Sequence, residues 1–192
     1  MEKIIILIGF SLVFVINQGQ AQRHITGTTH LEVQAGAVDN LTPDHYYGAL
    51  HYYHQASRKF FWRAGIEASR SRIQVPSVVP AITSVPVESY LLKGSYFYTV
   101  MSLLNSSLYL NVGLSPLVGY EQINEGKSQI NEAVSLQTKS PWVAGGQADV
   151  QVEVFLNSRW VCSINYGRRY LHGSSLGHWD DTLGLGLKFE LH

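Results

Sequence analysis

From Trp142 to Leu156 the chain alternates without a break. Trp142, Ala144, Gly146, Ala148, Val150, Val152, Val154 and Leu156 fall on one side, and Gly145, Gln147, Asp149, Gln151 and Glu153 on the other. A period of two is the signature of a β-strand, whose successive side chains point to opposite faces. The run is longer than the strands of most soluble domains. Leu183, Leu185, Leu187, Phe189 and Leu191 alternate in the same way with Thr182, Gly184, Gly186, Lys188 and Glu190. So do Trp62, Ala64 and Ile66 with Arg63, Gly65 and Glu67, and Leu108, Leu110, Val112 and Leu114 with Tyr109, Asn111, Gly113 and Ser115.

The pattern predicts eight strands: His30–Val38, Tyr46–His54, Phe60–Arg70, Val87–Val100, Leu108–Gly119, Trp142–Leu156, Arg159–Arg169 and Trp179–Leu191. Their connections alternate in length. Short ones fall at Gln55–Lys59, Ser102–Ser107 and Asn157–Ser158, and longer ones at Asp39–His45, Ser71–Pro86, Tyr120–Pro141 and Tyr170–His178. Short periplasmic turns and long external loops, in this order, describe an up-and-down outer-membrane barrel with both termini periplasmic. A soluble sandwich gives no reason for such alternation. Tyr52, Phe60, Trp62, Tyr98, Trp160 and Phe189 lie near the ends facing short turns, and Tyr46, Tyr90, Trp142 and Trp179 near the opposite ends. Two aromatic rings are what the two faces of a bilayer favour. The expected fold is therefore an all-β, eight-stranded antiparallel outer-membrane-type β-barrel.

Composition agrees. Charged residues make up 15% of the 192 residues, low for a soluble surface, and Lys+Arg equals Asp+Glu at 14 each. With no basic excess, direct nucleic-acid binding is not expected. Lys3 precedes an apolar run from Ile4 to Ile16, and Gly19 and Ala21 stand at the spacing that a signal peptidase reads. Residues 1–21 are thus expected to be a cleaved signal peptide and 22–192 a single barrel domain. The run is too short for a membrane-spanning helix. The lone Cys162 can neither close an intramolecular disulfide nor build a cysteine metal site.

Inward faces would hold Arg63, Glu67, Lys93, Asp149, Glu153, Arg169, Lys188 and Glu190. An eight-stranded barrel is just wide enough to be filled by side chains, so these charges are expected to pair and plug it, leaving no passage for a DNA strand. Near the C-terminus, His172, Ser174 and Ser175 precede His178 and Asp180–Asp181. A histidine, a serine and a carboxylate can activate a nucleophile for acyl transfer, but Gly-Ser-Ser is also ordinary turn chemistry. No catalytic, cofactor or metal residues are assigned, since His30, His45, His51, His54 and His172 show no ligand spacing.

Tyr46-Tyr47-Gly48-Ala49, the run Val112–Glu121, the run Leu171–Gly177 and the final Leu183–Phe189 together resemble the TraO family of conjugative-transposon transfer proteins from Bacteroides-like bacteria. The resemblance implies a component of the cell-envelope mating apparatus that moves DNA between cells, and with the barrel pattern the expected function is an outer-membrane component of that apparatus with a structural or partner-docking role. Its implied partners are other transfer-apparatus proteins and outer-membrane lipid, and no catalytic residues are carried over. The alternative is a lipid-modifying outer-membrane barrel enzyme that transfers or removes acyl chains. A soluble periplasmic barrel holding a small apolar ligand would place more charge on the outer strand faces.

Overall fold

The computed structural model describes residues 24–39, 44–75, 83–104, 107–124, 129–131, 134–135 and 142–191. The expected signal peptide lies outside them. Eight strands close into one antiparallel barrel. They are β1 (Thr29–Val38), β2 (Tyr46–Gln55), β3 (Phe60–Val75), β4 (Thr83–Leu103), β5 (Leu108–Ile123), β8 (Trp142–Phe155), β9 (Trp160–His172) and β10 (Trp179–Leu191). Two short strands, β6 (Gln129–Asn131) and β7 (Val134–Ser135), pair with each other inside the β5–β8 connection. Each barrel strand pairs with its neighbour in sequence. Closure is made by β1 on β10, from Thr29 opposite Leu191 to Val38 opposite Thr182. Closure removes the unpaired edges that would otherwise aggregate, and it satisfies every spanning strand on both sides.

The alternation sorts side chains as the sequence implied. Val33, Leu92, Leu114, Leu183, Leu185 and Leu187 are exposed on the outer face, whereas Gln147, Asp149, Gln151 and Glu153 are buried inside. A continuous exposed apolar belt far exceeds the patches of a soluble monomer. Aromatic side chains gather at both margins. At the short-turn end Phe60 lies 4.9 Å from Tyr98, Trp160 4.9 Å from Phe189 and Tyr52 5.7 Å from Trp62, centroid to centroid. At the other end Tyr170 lies 5.2 Å from Trp179, and Tyr120 5.9 Å from Trp142.

Several strands run further than the hydrophobic pattern suggested. β3 continues to Val75 and β4 begins at Thr83, with Ser71 opposite Val87 and Arg72 opposite Pro86. Most of the expected loop Ser71–Pro86 is therefore strand. Likewise β5 continues to Ile123 and β9 to His172. Serine and proline there read as loop, yet Ser71, Val85 and Val87 stay buried and keep the period of two. Pro86 is tolerated because the β4–β5 pairing starts one residue later, at Val87 and Ile123, so its missing N–H faces no partner strand.

The interior is layered. Toward the long-loop end, Leu91, Leu117, Val143 and Leu171 form one apolar cluster, and Val38, Tyr47 and Ala49 another. Toward the short-turn end, Tyr53, Phe61 and Phe97 pack together beside Tyr109, Phe155 and Val161. Arg63, Lys93, Asp149 and Arg169 lie between these layers, and Ser71, Ser89 and Glu121 are buried beyond the long-loop one. Inward glycines make the room: a Cβ on Gly113 would sit 2.6 Å from the Phe97 ring, which is stacked on Phe61 at 4.8 Å.

Candidate functional site

The middle layer is a set of buried ion pairs supplied by every part of the chain. Arg63 on β3 sits 3.4 Å from Asp149 on β8, donates through Nε to Ser95 (3.0 Å) and through NH1 to the Tyr53 hydroxyl (3.1 Å). Lys93 on β4 donates to the same Asp149 (3.1 Å), which also accepts from Ser115 (2.6 Å) and Gln147 (2.6 Å). Arg169 on β9 bridges Glu67 (2.7 Å) and Asp180 (3.2 Å). Lys188 pairs with Glu153, and its ammonium lies 3.7 Å from the centre of the Tyr53 ring. Glu32 accepts from the Tyr53 hydroxyl (2.5 Å) and from Ser163, and lies 3.1 Å from His51 Nδ1. Ionised groups out of water are tolerated only when paired and hydrogen-bonded on nearly every side, as here.

Both ends are stopped. At the short-turn end His24, just ahead of β1, turns into the mouth. Its ring stacks on Tyr109 (4.0 Å), its Nε2 is 2.9 Å from Glu153, and Phe61 and Phe155 flank it at 6.1 and 5.7 Å. At the long-loop end the β9–β10 connection folds inward. The Ser174 hydroxyl donates to Glu121 (2.7 Å), the Ser175 N–H donates to the same carboxylate (2.9 Å), and Leu176 packs on Val85, Val87 and Ile123. Gly173 and Gly177, with φ of +85° and +118°, let the chain turn in and out again at the two ends of this lid.

The family model for the conjugative transposon protein TraO matches residues 25–191. The chain belongs to the TraO family. No curated protein matches it in sequence. Among solved structures it is similar to Ail, the attachment invasion locus protein of Yersinia pestis, at 12% identity and TM-score 0.54, covering 87% of this chain and 100% of that one. A second structure of Ail, in complex with the heparin analogue sucrose octasulfate, gives 10% identity and TM-score 0.56 with the same coverage. At such identity the likeness is one of fold, that of an outer-membrane-type barrel.

In this TraO-family chain the segments that carried the resemblance have physical tasks. Val112–Glu121 is the body of β5, whose inward Ser115, Leu117 and Glu121 contribute to the polar layer, the apolar layer and the lid anchor in turn. Leu171–Gly177 supplies the lid, and Leu183–Phe189 the outer apolar row of β10.

The expected inward charges Arg63, Glu67, Lys93, Asp149, Glu153, Arg169 and Lys188 are all buried and paired. Glu190 is not among them: it lies half-buried at the very end of β10, where the barrel opens. Glu32 and Glu121 are buried acids outside the expected set: Glu32 stands in a strand of weak contrast, and the hydrophobic pattern places Glu121 in a loop. The His172–Ser174–Asp180 grouping is dispersed. His172 is exposed, Ser174 is spent on Glu121, and Asp180 is held by Arg169. Among the described residues no group of three His, Cys, Asp or Glu side chains is arranged to hold a metal ion.

Proposed function

We propose that this protein lies in the outer membrane and serves conjugative DNA transfer as a closed structural and docking component of the mating apparatus. The observation that carries the proposal is the stopped lumen: a paired polar layer between two apolar layers, with His24 and the Ser174–Leu176 lid at the mouths. A barrel so filled conducts neither DNA nor solute, and its contribution to transfer is made through its surfaces. The family supplies the transfer context and the exposed apolar belt supplies the membrane. We assign it no enzymatic activity, since the serine in the candidate grouping is bonded to a carboxylate that anchors a lid. The protein is expected to sediment with outer membranes and to migrate faster in gels when unboiled. Deleting its gene should abolish transfer between cells, and planar bilayers containing the purified barrel should stay non-conducting. Recovery in the soluble periplasm, or transfer unaffected by the deletion, sinks the proposal.

The long connections Ser71–Pro86 and Tyr120–Pro141 are strand where they leave the barrel, and their residues 76–82, 125–128, 132–133 and 136–141 lie outside the described residues.

A further inference from the structure

Cations are distributed unevenly over this barrel. Inside, Arg63, Lys93, Arg169 and Lys188 each face a carboxylate. On the outer surface toward the long loops, Arg70 pairs with Glu88, Arg72 with Asp44 and Arg168 with Asp181. Among the described residues the remaining lysines and arginines are Arg58, Lys59 and Arg159. All three stand in the short turns, and none is in an ion pair. Arg58 and Lys59 border a groove of about 460 Å³ that is completed by His24, Thr99, Val100, Met101, Ser102 and Tyr109.

Beside that groove is an apolar flange. A bulge between Thr99 and Met101 breaks the alternation of β4, and Val100, Met101, Ser102, Leu103 and Leu104 are all exposed in succession. These residues lie past the aromatic ring at Tyr98. Leu103 is five residues further on, about 16 Å along a strand and about 11 Å along the axis at the usual tilt. The headgroup layer of one leaflet is about 5–8 Å deep. Leu103 and Leu104 therefore project beyond lipid. Moreover His24, Thr99 and Tyr109 belong to the mouth and inner face, so the groove opens across the mouth and not onto the bilayer.

We propose that this short-turn rim docks a periplasmic protein through an acidic segment carrying apolar side chains, the carboxylates meeting Arg58 and Lys59 and the apolar residues covering Val100, Met101, Leu103 and Leu104. The occupant follows from charge complementarity: unpaired cations beside apolar surface in water are matched by the opposite charge on an apolar frame. The inference rests on the transfer role given above and names its surface.

The test uses the mature barrel folded in phosphatidylcholine nanodiscs and a fluorescent peptide of alternating Glu and Leu, with a Lys–Leu peptide as control. The Glu–Leu peptide should bind, weakening as salt rises, and the Lys–Leu peptide should not. Arg58→Glu/Lys59→Glu and, separately, Leu103→Ser/Leu104→Ser should each lose at least tenfold in affinity, while Arg72→Glu on the opposite rim binds as the parent does. Equal binding by the parent and the Arg58/Lys59 variant overturns the proposal. So does loss of peptide binding on adding millimolar glycerol phosphate at constant ionic strength, which would make the rim a phosphate-headgroup site. In cells, the Arg58/Lys59 variant should reach the outer membrane in normal amount and transfer DNA at least tenfold less often. If gene deletion abolishes transfer and this variant transfers normally, the docking surface is wrong and the transfer role stands. If deletion itself changes nothing, the transfer role falls first.

Discussion

The imidazole of His24 lies flat against the phenol ring of Tyr109, centroids 4.0 Å apart and planes within 14°. His24 stands ahead of β1 and is buried, so the segment leading into the first strand stops the short-turn mouth of the barrel. His24→Ala removes a stacked ring and one partner of Glu153, and should lower stability by about 2 kcal/mol in urea unfolding from detergent. Conductance should stay at background, because the Phe61–Phe97 stack behind it remains. An open channel in this variant would place the seal at His24 alone.

Among the described residues Asp149 is the one carboxylate in ion pairs with both Arg63 and Lys93. Asp149→Ala leaves two buried cations without their counter-charge and should cost about 3–5 kcal/mol. Lys93→Met should cost less, since Arg63 still neutralises Asp149. The combined variant should be milder than the sum of the two, as a double-mutant cycle in folding yield and urea midpoint will register.

Two glycines on adjacent strands have opposite surroundings. A Cβ on Gly113 meets three atoms of the Phe97 ring at 2.6 to 2.9 Å, whereas one on Gly94 meets nothing within 4 Å. Gly113→Val should destabilise by about 1–3 kcal/mol through overpacking. Gly94→Val, pointing away from the lumen, should leave the unfolding midpoint nearly unchanged. The reverse ranking would mean that the faces of β4 and β5 are exchanged.

The lid bond from Ser174 to Glu121 makes a structural demand and no chemical one. Ser174→Ala should cost about 1–3 kcal/mol by leaving a buried carboxylate short of a donor. The His172→Ala/Ser174→Ala double variant should nevertheless transfer DNA near the normal frequency and release no fewer acyl chains from outer-membrane lipid than the parent. Loss of transfer with an intact barrel would favour the acyl-transfer alternative.

The eight strands, their order and their two faces were legible in the chain because the period of two is a local property. Whether Gln151 points in and Val152 out is settled by parity within one strand. The inward facing of the seven interior charges follows from the same parity, and the two aromatic margins from nearness to the strand ends. The expectation of a filled lumen needs only the count of strands.

Tertiary structure alone decided who meets whom. Arg169 reaches Glu67 across 102 positions of sequence, and His24 reaches Glu153 across 129. Such meetings depend on the height of each residue in the barrel, and height is set by the stagger accumulated over all eight pairings. No window of sequence contains that sum. For the same reason the strand extensions through Ser71–Val75 and Thr83–Pro86 were hidden, since polar residues become strand where a partner strand takes up their hydrogen bonds. The cationic rim was equally out of reach: the sequence shows Arg58, Lys59 and Arg159, but only the fold shows that every other described cation has found an acid.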